Sequence, residues 1–285
     1  ISGGYNAGPN TYKGDACDPV FPGMSCFDVA VSVQSDGGLS ARVGMIQPQI
    51  GIRPDDHTAI VRGDAANLRR PIIPPNYAEW GGEVAYQPRS WIRAELGIFH
   101  THNLDASLNR GVTDAGQETD LWPIGYGGRF TLLPRFELGG EPAAGDDFDD
   151  DFGDAPPIKK TAINTWMGAS LFGSGDFYLL NGFVGAGLQN GLETRLEVAR
   201  SSRGADYSTL NASLAATFAF VDWLVPAIRI DRGQTDAMDS LTTWQYVAGV
   251  EFFLLPGLEI RPEYRILKTD QYIFGQPTIQ IHAFF

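Results

Sequence analysis

The stretch Leu258–Ile266 alternates without a break: Leu258, Ile260, Pro262, Tyr264 and Ile266 have one parity, and Glu259, Arg261, Glu263 and Arg265 have the other. Successive side chains of an extended chain point to opposite faces, so these charges would stand in one column, about 6.6 Å apart and alternating in sign. The pattern returns elsewhere. Glu193, Arg195 and Glu197 oppose Leu192, Thr194, Leu196 and Val198; Arg93 and Glu95 oppose Ile92, Ala94, Leu96 and Ile98; Arg229 and Asp231 oppose Leu224, Pro226, Ile228 and Ile230. Acid beside base on one face suits a wet, confined surface whose field sorts ions and polar solutes and breaks no bonds.

Other residues carry weaker chemistry. His100 and His102, with Asp105 nearby, could hold zinc or copper, but histidines at the wet end of a strand are the commoner occurrence. His57 beside Asp55 and Asp56 suggests acid-base work, yet no motif places a Ser or Cys nucleophile. The acidic run 146–154 lacks the central Gly and terminal Glu of a calcium loop. No metal site, cofactor or enzymatic activity is expected. Cys17 and Cys26 enclose eight residues, a span that a disulfide can close in an oxidising envelope compartment, whereas two thiols are too few for a metal.

Composition limits the elements that can hold such columns. The chain has 285 residues, 34 Gly, 12% aromatics and 2 Cys, a profile of strands and turns. No apolar run approaches the roughly 18 to 20 residues of a spanning helix. A membrane reading therefore requires a closed ring of strands, the other arrangement that satisfies every backbone group in lipid. The formal net charge of -13, with no cluster of Lys and Arg, argues against nucleic acid. The chain opens on Ile1 without an initiator Met or signal peptide, which fits a removed leader or an upstream part outside the sequence.

Taken in order, residues 1–25 read as a Gly, Pro and Asn rich loop carrying the Cys pair. Alternation begins at Phe27 and passes through a short turn, Ser35–Gly38, into Leu39–Gly51. A connection too long and charged for a turn follows, Ile52–Asn76, containing Arg53, Asp55, Asp56, Arg62, Arg69 and Arg70. Tyr77–Tyr86 and Trp91–Phe99 read as strands joined at Gln87–Ser90, Thr101–Thr119 as a polar loop, and Leu121–Phe136 as a strand region interrupted by Gly125, Gly127 and Gly128. Leu138–Lys160 is acidic and of low complexity, unable to fold alone. Eight further strands run to Phe285, joined alternately by tight turns such as Asn190-Gly191 and Pro256-Gly257 and by longer polar connectors, Asp231–Ser240 and Lys268–Ile273. Trp80, Tyr86, Trp91, Trp122, Tyr126, Trp223, Trp244, Tyr246, Tyr264 and Tyr272 supply aromatic girdles.

The last strand, Gln276–Phe285, puts Ile279, Ile281, Ala283 and Phe285 on one side and ends on the aromatic Phe285. It resembles the C-terminal strand of Gram-negative outer-membrane β-barrels. That resemblance implies an outer-membrane location, contact with lipid and lipopolysaccharide, and reading of Phe285 by the barrel-insertion machinery. The expected fold is all-β: a transmembrane antiparallel up-and-down β-barrel of about 14 strands, between 12 and 16, occupying residues 26–285 with an acidic insertion at 138–160. Counting back from Phe285 gives an odd number, so an ascending strand should precede Phe27, either within residues 1–12 or upstream of Ile1.

The 52–76 segment resembles the constriction loops of porins, which fold inward; two placements are open, inside the ring or on the outer surface. The porin-like resemblance implies a passive channel for small polar solutes or ions. Its lining would be Arg93, Glu95, Glu193, Arg195, Glu197, Arg229, Glu259, Arg261, Glu263 and Arg265, with Arg53, Asp55, Asp56, Arg62, Arg69 and Arg70 at the constriction. The rival reading is a barrel that sleeves a partner, as in porin-cytochrome conduits, with a periplasmic or multihaem partner docking at 138–160. This chain has no Cys-x-x-Cys-His, so any haem would belong to that partner.

Overall fold

Alternation of apolar and polar residues over eight or more positions favours extended chain with one face on each solvent, and that is how the wall is built. The computed structural model describes residues 2–10, 26–52, 77–109, 119–138, 161–204, 207–221, 223–237, 240–255 and 258–283. Its strands are β1 (Ser2–Asn10), β2 (Cys26–Gln34), β3 (Leu39–Ile46), β4 (Glu79–Arg89), β5 (Ile92–His100), β6 (Ile124–Leu132), β7 (Arg135–Leu138), β8 (Thr161–Ser174), β9 (Phe177–Leu188), β10 (Leu192–Arg203), β11 (Ser208–Phe218), β12 (Leu224–Asp236), β13 (Ser240–Leu255), β14 (Leu258–Thr269) and β15 (Ile273–Ala283). A helix, α1 (His102–Asn109), follows β5.

Each strand pairs antiparallel with the next, in the order β1-β2-β3-β4-β5-β6-β8-β9-β10-β11-β12-β13-β14-β15, while β7 also pairs with β8. Because β6 and β7 both lie on β8, they are two lengths of one wall strand, broken at Leu133-Pro134 where proline has no N–H for the ladder. The architecture is an up-and-down antiparallel transmembrane β-barrel with fourteen wall strands. β1 pairs with β2 from Ser2↔Gln34 to Asn10↔Cys26 and supplies the ascending strand that the odd count required, so residues 2–10, read as loop for their Gly, Pro and Asn, are wall and the barrel begins ahead of residue 26. Cys26 opens β2; Cys17, the other half of the expected disulfide, lies outside the described residues, as do 53–76 and 139–160.

Burial identifies the two faces. Large apolar side chains point outward and are bare: Leu96 is 71% exposed, Ile279 68%, Val43 65% and Ile228 62%. Within the height of this belt ionic side chains point inward: Glu95 is 4% exposed, Arg229 6%, Glu263 6% and Asp231 0%. A water-soluble sandwich would show the reverse, so the exposed apolar belt is the surface that lipid covers.

Several boundaries differ from the sequence expectation for one reason: strands continue beyond the apolar belt, where polar residues stand on both faces. β12 runs to Asp236 and β13 starts at Ser240, leaving a short connector where Asp231–Ser240 read as a loop. β4 likewise runs on to Arg89, past the expected turn at Gln87. Gly125, Gly127 and Gly128 do not interrupt β6, which is paired throughout with β5. The Thr101–Thr119 stretch is no simple loop, since its first half is α1.

Candidate channel interior

Residues two apart on a strand share a face, so an acid and a base at i and i+2 inside a barrel pair along the strand. Arg229 Nε donates to Asp231 Oδ2 at 2.7 Å, and Arg93 lies 2.8 Å from Glu95. Glu263 sits between two arginines, 3.0 Å from Arg261 and 2.6 Å from Arg265, while Arg261 also reaches Glu251 on the adjacent strand at 2.8 Å. On the other side of the ring Arg42 grips both carboxylate oxygens of Glu83, at 3.0 and 3.1 Å. Such forked pairing fixes geometry as well as charge.

Register produces a second order. Arg195 of β10 is opposite Ala215, Ala215 is opposite Arg229, Arg229 is opposite Val247, and Val247 is opposite Arg265. Three arginines thus stand in one row across five strands, about 10 Å apart, with small or apolar residues between them. Arg195 is also within electrostatic reach of Glu251, three strands away.

The interior is not empty above this row. Segment 47–52 leaves β3 and crosses the lumen: Gln47 O accepts from Arg42, Gly51 N–H donates to Ser170 Oγ at 2.8 Å, and Ile52 N–H donates to Glu197 Oε1 at 3.1 Å. The Asn181 amide also donates to that Glu197 oxygen, at 2.5 Å. Ser170, Asn181 and Glu197 face inward from β8, β9 and β10, so only a path through the ring joins them to β3. Gly51 makes the crossing feasible. Its φ is +54°, and a Cβ there would collide with Glu197 Oε1 and fall 2.7 Å from Asn181 Nδ2.

Helix α1 fills the same end of the barrel. Leu104 and Leu108, one turn apart, are buried with Ile46, Ile50, Tyr77, Phe99, Phe172, Phe177 and Leu179 in one apolar cluster. The Phe172 ring meets Tyr77, Phe99 and Phe177 edge-on, at centroid distances of 6.0, 6.1 and 6.4 Å. The inward Gly97 and Gly127 leave the floor on which Phe99 lies; a Cβ would come within 2.5 and 3.3 Å of its ring. Glu79 anchors the helix start, accepting from Leu104 N–H at 2.8 Å and from the Tyr77 hydroxyl at 3.0 Å. Burial first, then the Glu79 carboxylate, pushes the Tyr77 phenol well above its ordinary range, so it stays a donor.

Of the residues expected from sequence, Arg93, Glu95, Glu193, Arg195, Glu197, Arg229, Glu259, Arg261, Glu263 and Arg265 lie on inward-facing positions of their strands. Arg53, Asp55, Asp56, Arg62, Arg69 and Arg70 lie outside the described residues. His100 and His102 have their rings 6.4 Å apart, and no cluster of three His, Cys, Asp or Glu able to hold a metal occurs among the described residues. The sequence reading passed over Arg42, Arg129 and Glu251, each the lone ion of its strand, and Glu83, which has no base beside it on the inward face of β4. It also missed Gly51, Ser170 and Asn181, for which alternation gives no signal.

No protein-family model matches the chain, and no curated protein matches it in sequence. Solved structures do match in fold. OprB of Pseudomonas putida, in a high-pH structure, is 11% identical, covers 90% of this chain and 72% of its own, and superimposes with a TM-score of 0.51. An anion-selective porin from Comamonas acidovorans is 13% identical over 90% of this chain and 77% of its own, with a TM-score of 0.47. OccK10 of Pseudomonas aeruginosa is 11% identical over 92% and 84%, with a TM-score of 0.45. At these identities the likeness is one of fold. The fold is that of the porin-like barrels of Gram-negative outer membranes, and a barrel with this exposed apolar belt belongs in that membrane.

Proposed function

We propose that this barrel is a passive outer-membrane channel for small polar solutes or ions, narrowed by segment 47–52 and helix α1 and lined by the paired charges beneath them. The observation that carries the reading is the crossing of 47–52 from Arg42 on one wall to Ser170 and Glu197 on the other. A solute that has passed this level meets the arginine row on β10–β14 on one side and the Arg42–Glu83 and Arg93–Glu95 pairs on the other. Acids and bases are nearly matched, so the field is local and alternating, and it favours polar or dipolar solutes over those of one sign. The loop end, which holds 47–52 and α1, faces the cell exterior in this reading, and the turn end faces the periplasm.

The sleeve for a multihaem partner gains no support from the described residues, because the chain's own segments occupy the bore such a partner would need. Purified barrel in planar bilayers tests the channel: steady single-channel steps support it, and an electrically silent bilayer containing folded barrel overturns it.

A further inference from the structure

The outward face of the described strands is almost wholly apolar, and its cations are not scattered. Arg200 of β10, Arg232 of β12 and Lys268 of β14 have the outward parity, alternating with the buried Ala199, Asp231 and Thr269. All three stand near the loop end. Arg232 is opposite Trp244, and Trp244 is opposite Lys268, so two cations flank one indole. Arg200 is opposite Leu210, itself opposite Gln234, which puts Arg200 one row nearer the rim.

The cluster is organised. The Arg232 guanidinium lies 5.8 Å from the Trp244 ring centroid and donates to Gln234 Oε1 at 3.0 Å. Trp244 stacks on Tyr246 at 6.3 Å with 8° between the planes. Arg200 and Lys268 are exposed, and neither has an ion-pair partner among the described residues. An acid at the rim, Asp236, is held by Ser240 at 2.7 Å and by Gln234. At the same end, outward positions of β3–β9 hold Met45, Trp80, Ile98, Ile124, Leu171 and Tyr178, with no Lys or Arg.

Depth explains why charge is tolerated there. The outward residues of β14 from Leu258 to Ile266 make an apolar stripe eight residue-steps long, about 20 Å along the axis at a tilt near 40°. Lys268 comes just past it, level with lipid headgroups. A lipid-facing cation is costly at mid-membrane and cheap at that level, where an anionic headgroup can meet it. Arginine offers a planar fork suited to phosphate and lysine a point charge, beside aromatic rings that pack at the boundary between sugar and acyl chain.

We propose that the outward face of β10–β14 at the loop end binds the phosphorylated glycolipid of the outer leaflet, with Arg200, Arg232 and Lys268 on its phosphates and Trp244 and Tyr246 against its sugar-acyl boundary. The proposal rests on the outer-membrane orientation above, which turns the loop end toward that leaflet. Native mass spectrometry of the detergent-purified barrel tests it, using bisphosphorylated lipid A, its dephosphorylated form and phosphatidylglycerol. The wild type should retain bisphosphorylated lipid A about tenfold more strongly than the other two, and Arg200→Gln/Arg232→Gln/Lys268→Gln should lose that preference while keeping its single-channel steps.

Equal retention by the triple variant overturns the site, and equal retention of phosphatidylglycerol overturns the glycolipid as its occupant. If the triple variant does not fold, the single variants Arg200→Gln and Lys268→Gln replace it; partial loss in each supports the site, and unchanged retention in both overturns it. A wild type that conducts without any lipid preference sinks this inference alone. One that holds lipid A but never conducts sinks the channel function and leaves the site standing.

Discussion

Ile52 N–H donates to Glu197 Oε1 at 3.1 Å although five wall strands separate β3, which Ile52 follows, from β10, which carries Glu197. One hydrogen bond therefore reports that the chain traverses the lumen, and it shares its acceptor with Asn181. Its acceptor is a carboxylate oxygen, which makes the bond charge-assisted.

Glu197→Gln keeps the shape of the latch and removes its charge. Hydrogen bonds to charged groups contribute about 1.5–3 kcal/mol and neutral ones about 1, so the crossing should loosen by about 1 kcal/mol. Single-channel records should show more frequent excursions to larger current, and unchanged noise would count against the latch.

Gly51→Ala asks for a left-handed residue with a methyl group where Glu197 and Asn181 already stand. The backbone alone costs about 1–2 kcal/mol. The segment should leave its seat on β8–β10, and the unitary conductance should rise; an identical step size would show that 47–52 does not set the width.

Arg229→Gln removes the partner of Asp231, the two side chains being 6% and 0% exposed. The Gln245 amide, 3.4 Å from the same carboxylate oxygen, offsets only part of the loss, so unfolding in denaturant should show about 3 kcal/mol of destabilisation. With one positive charge gone from the wall, the reversal potential in a salt gradient should move toward cations at 0.1 M salt. The movement should shrink at 1 M, where the screening length falls to about 3 Å.

Phe172→Ala empties the centre of the plug, since Phe172 is 0% exposed and touches three other rings. A loss of about 3 kcal/mol follows for a buried phenyl group. The barrel should unfold at lower temperature in detergent, as read by the mobility shift between folded and heated protein on gels.

Leu96→Arg tests the outer face at a residue that is 71% exposed. On a water-facing surface the change would be nearly neutral. Facing the bilayer near mid-depth it should cost about 2–4 kcal/mol and lower the yield of folded barrel in vesicles.

The sequence displayed the wall more readily than what fills it. Glu259, Arg261, Glu263 and Arg265 could be read as one column because a period of two leaves no other face for them. Arg42 and Glu83 pair just as closely, yet Arg42 is the lone ion of β3 and β4 offers no base beside Glu83 on its own inward face, so only register brings them together. The crossing at 47–52 works through backbone N–H groups and a positive φ, which leave no trace in residue type beyond a glycine. Leu104 and Leu108 were one helical turn apart in plain view, but the polar residues around them masked a helix that needs Glu79 and the apolar cluster to hold it. The polar tails of β12 and β14 read as loops because alternation with an apolar face ends where the lipid does.

Thiol labelling tests the assignment of faces most directly. With Cys17 and Cys26 replaced by Ser, Ala215→Cys is placed on the inner wall and Ile228→Cys on the outer, and each variant is reconstituted in a bilayer and exposed to an anionic, water-borne methanethiosulfonate. Labelling at 215 should lower the single-channel current in discrete steps, and position 228 should neither react nor change the current. Rapid labelling at 228 with an unaltered current at 215 would contradict the account, because water would then cover the apolar face of the wall in place of lipid.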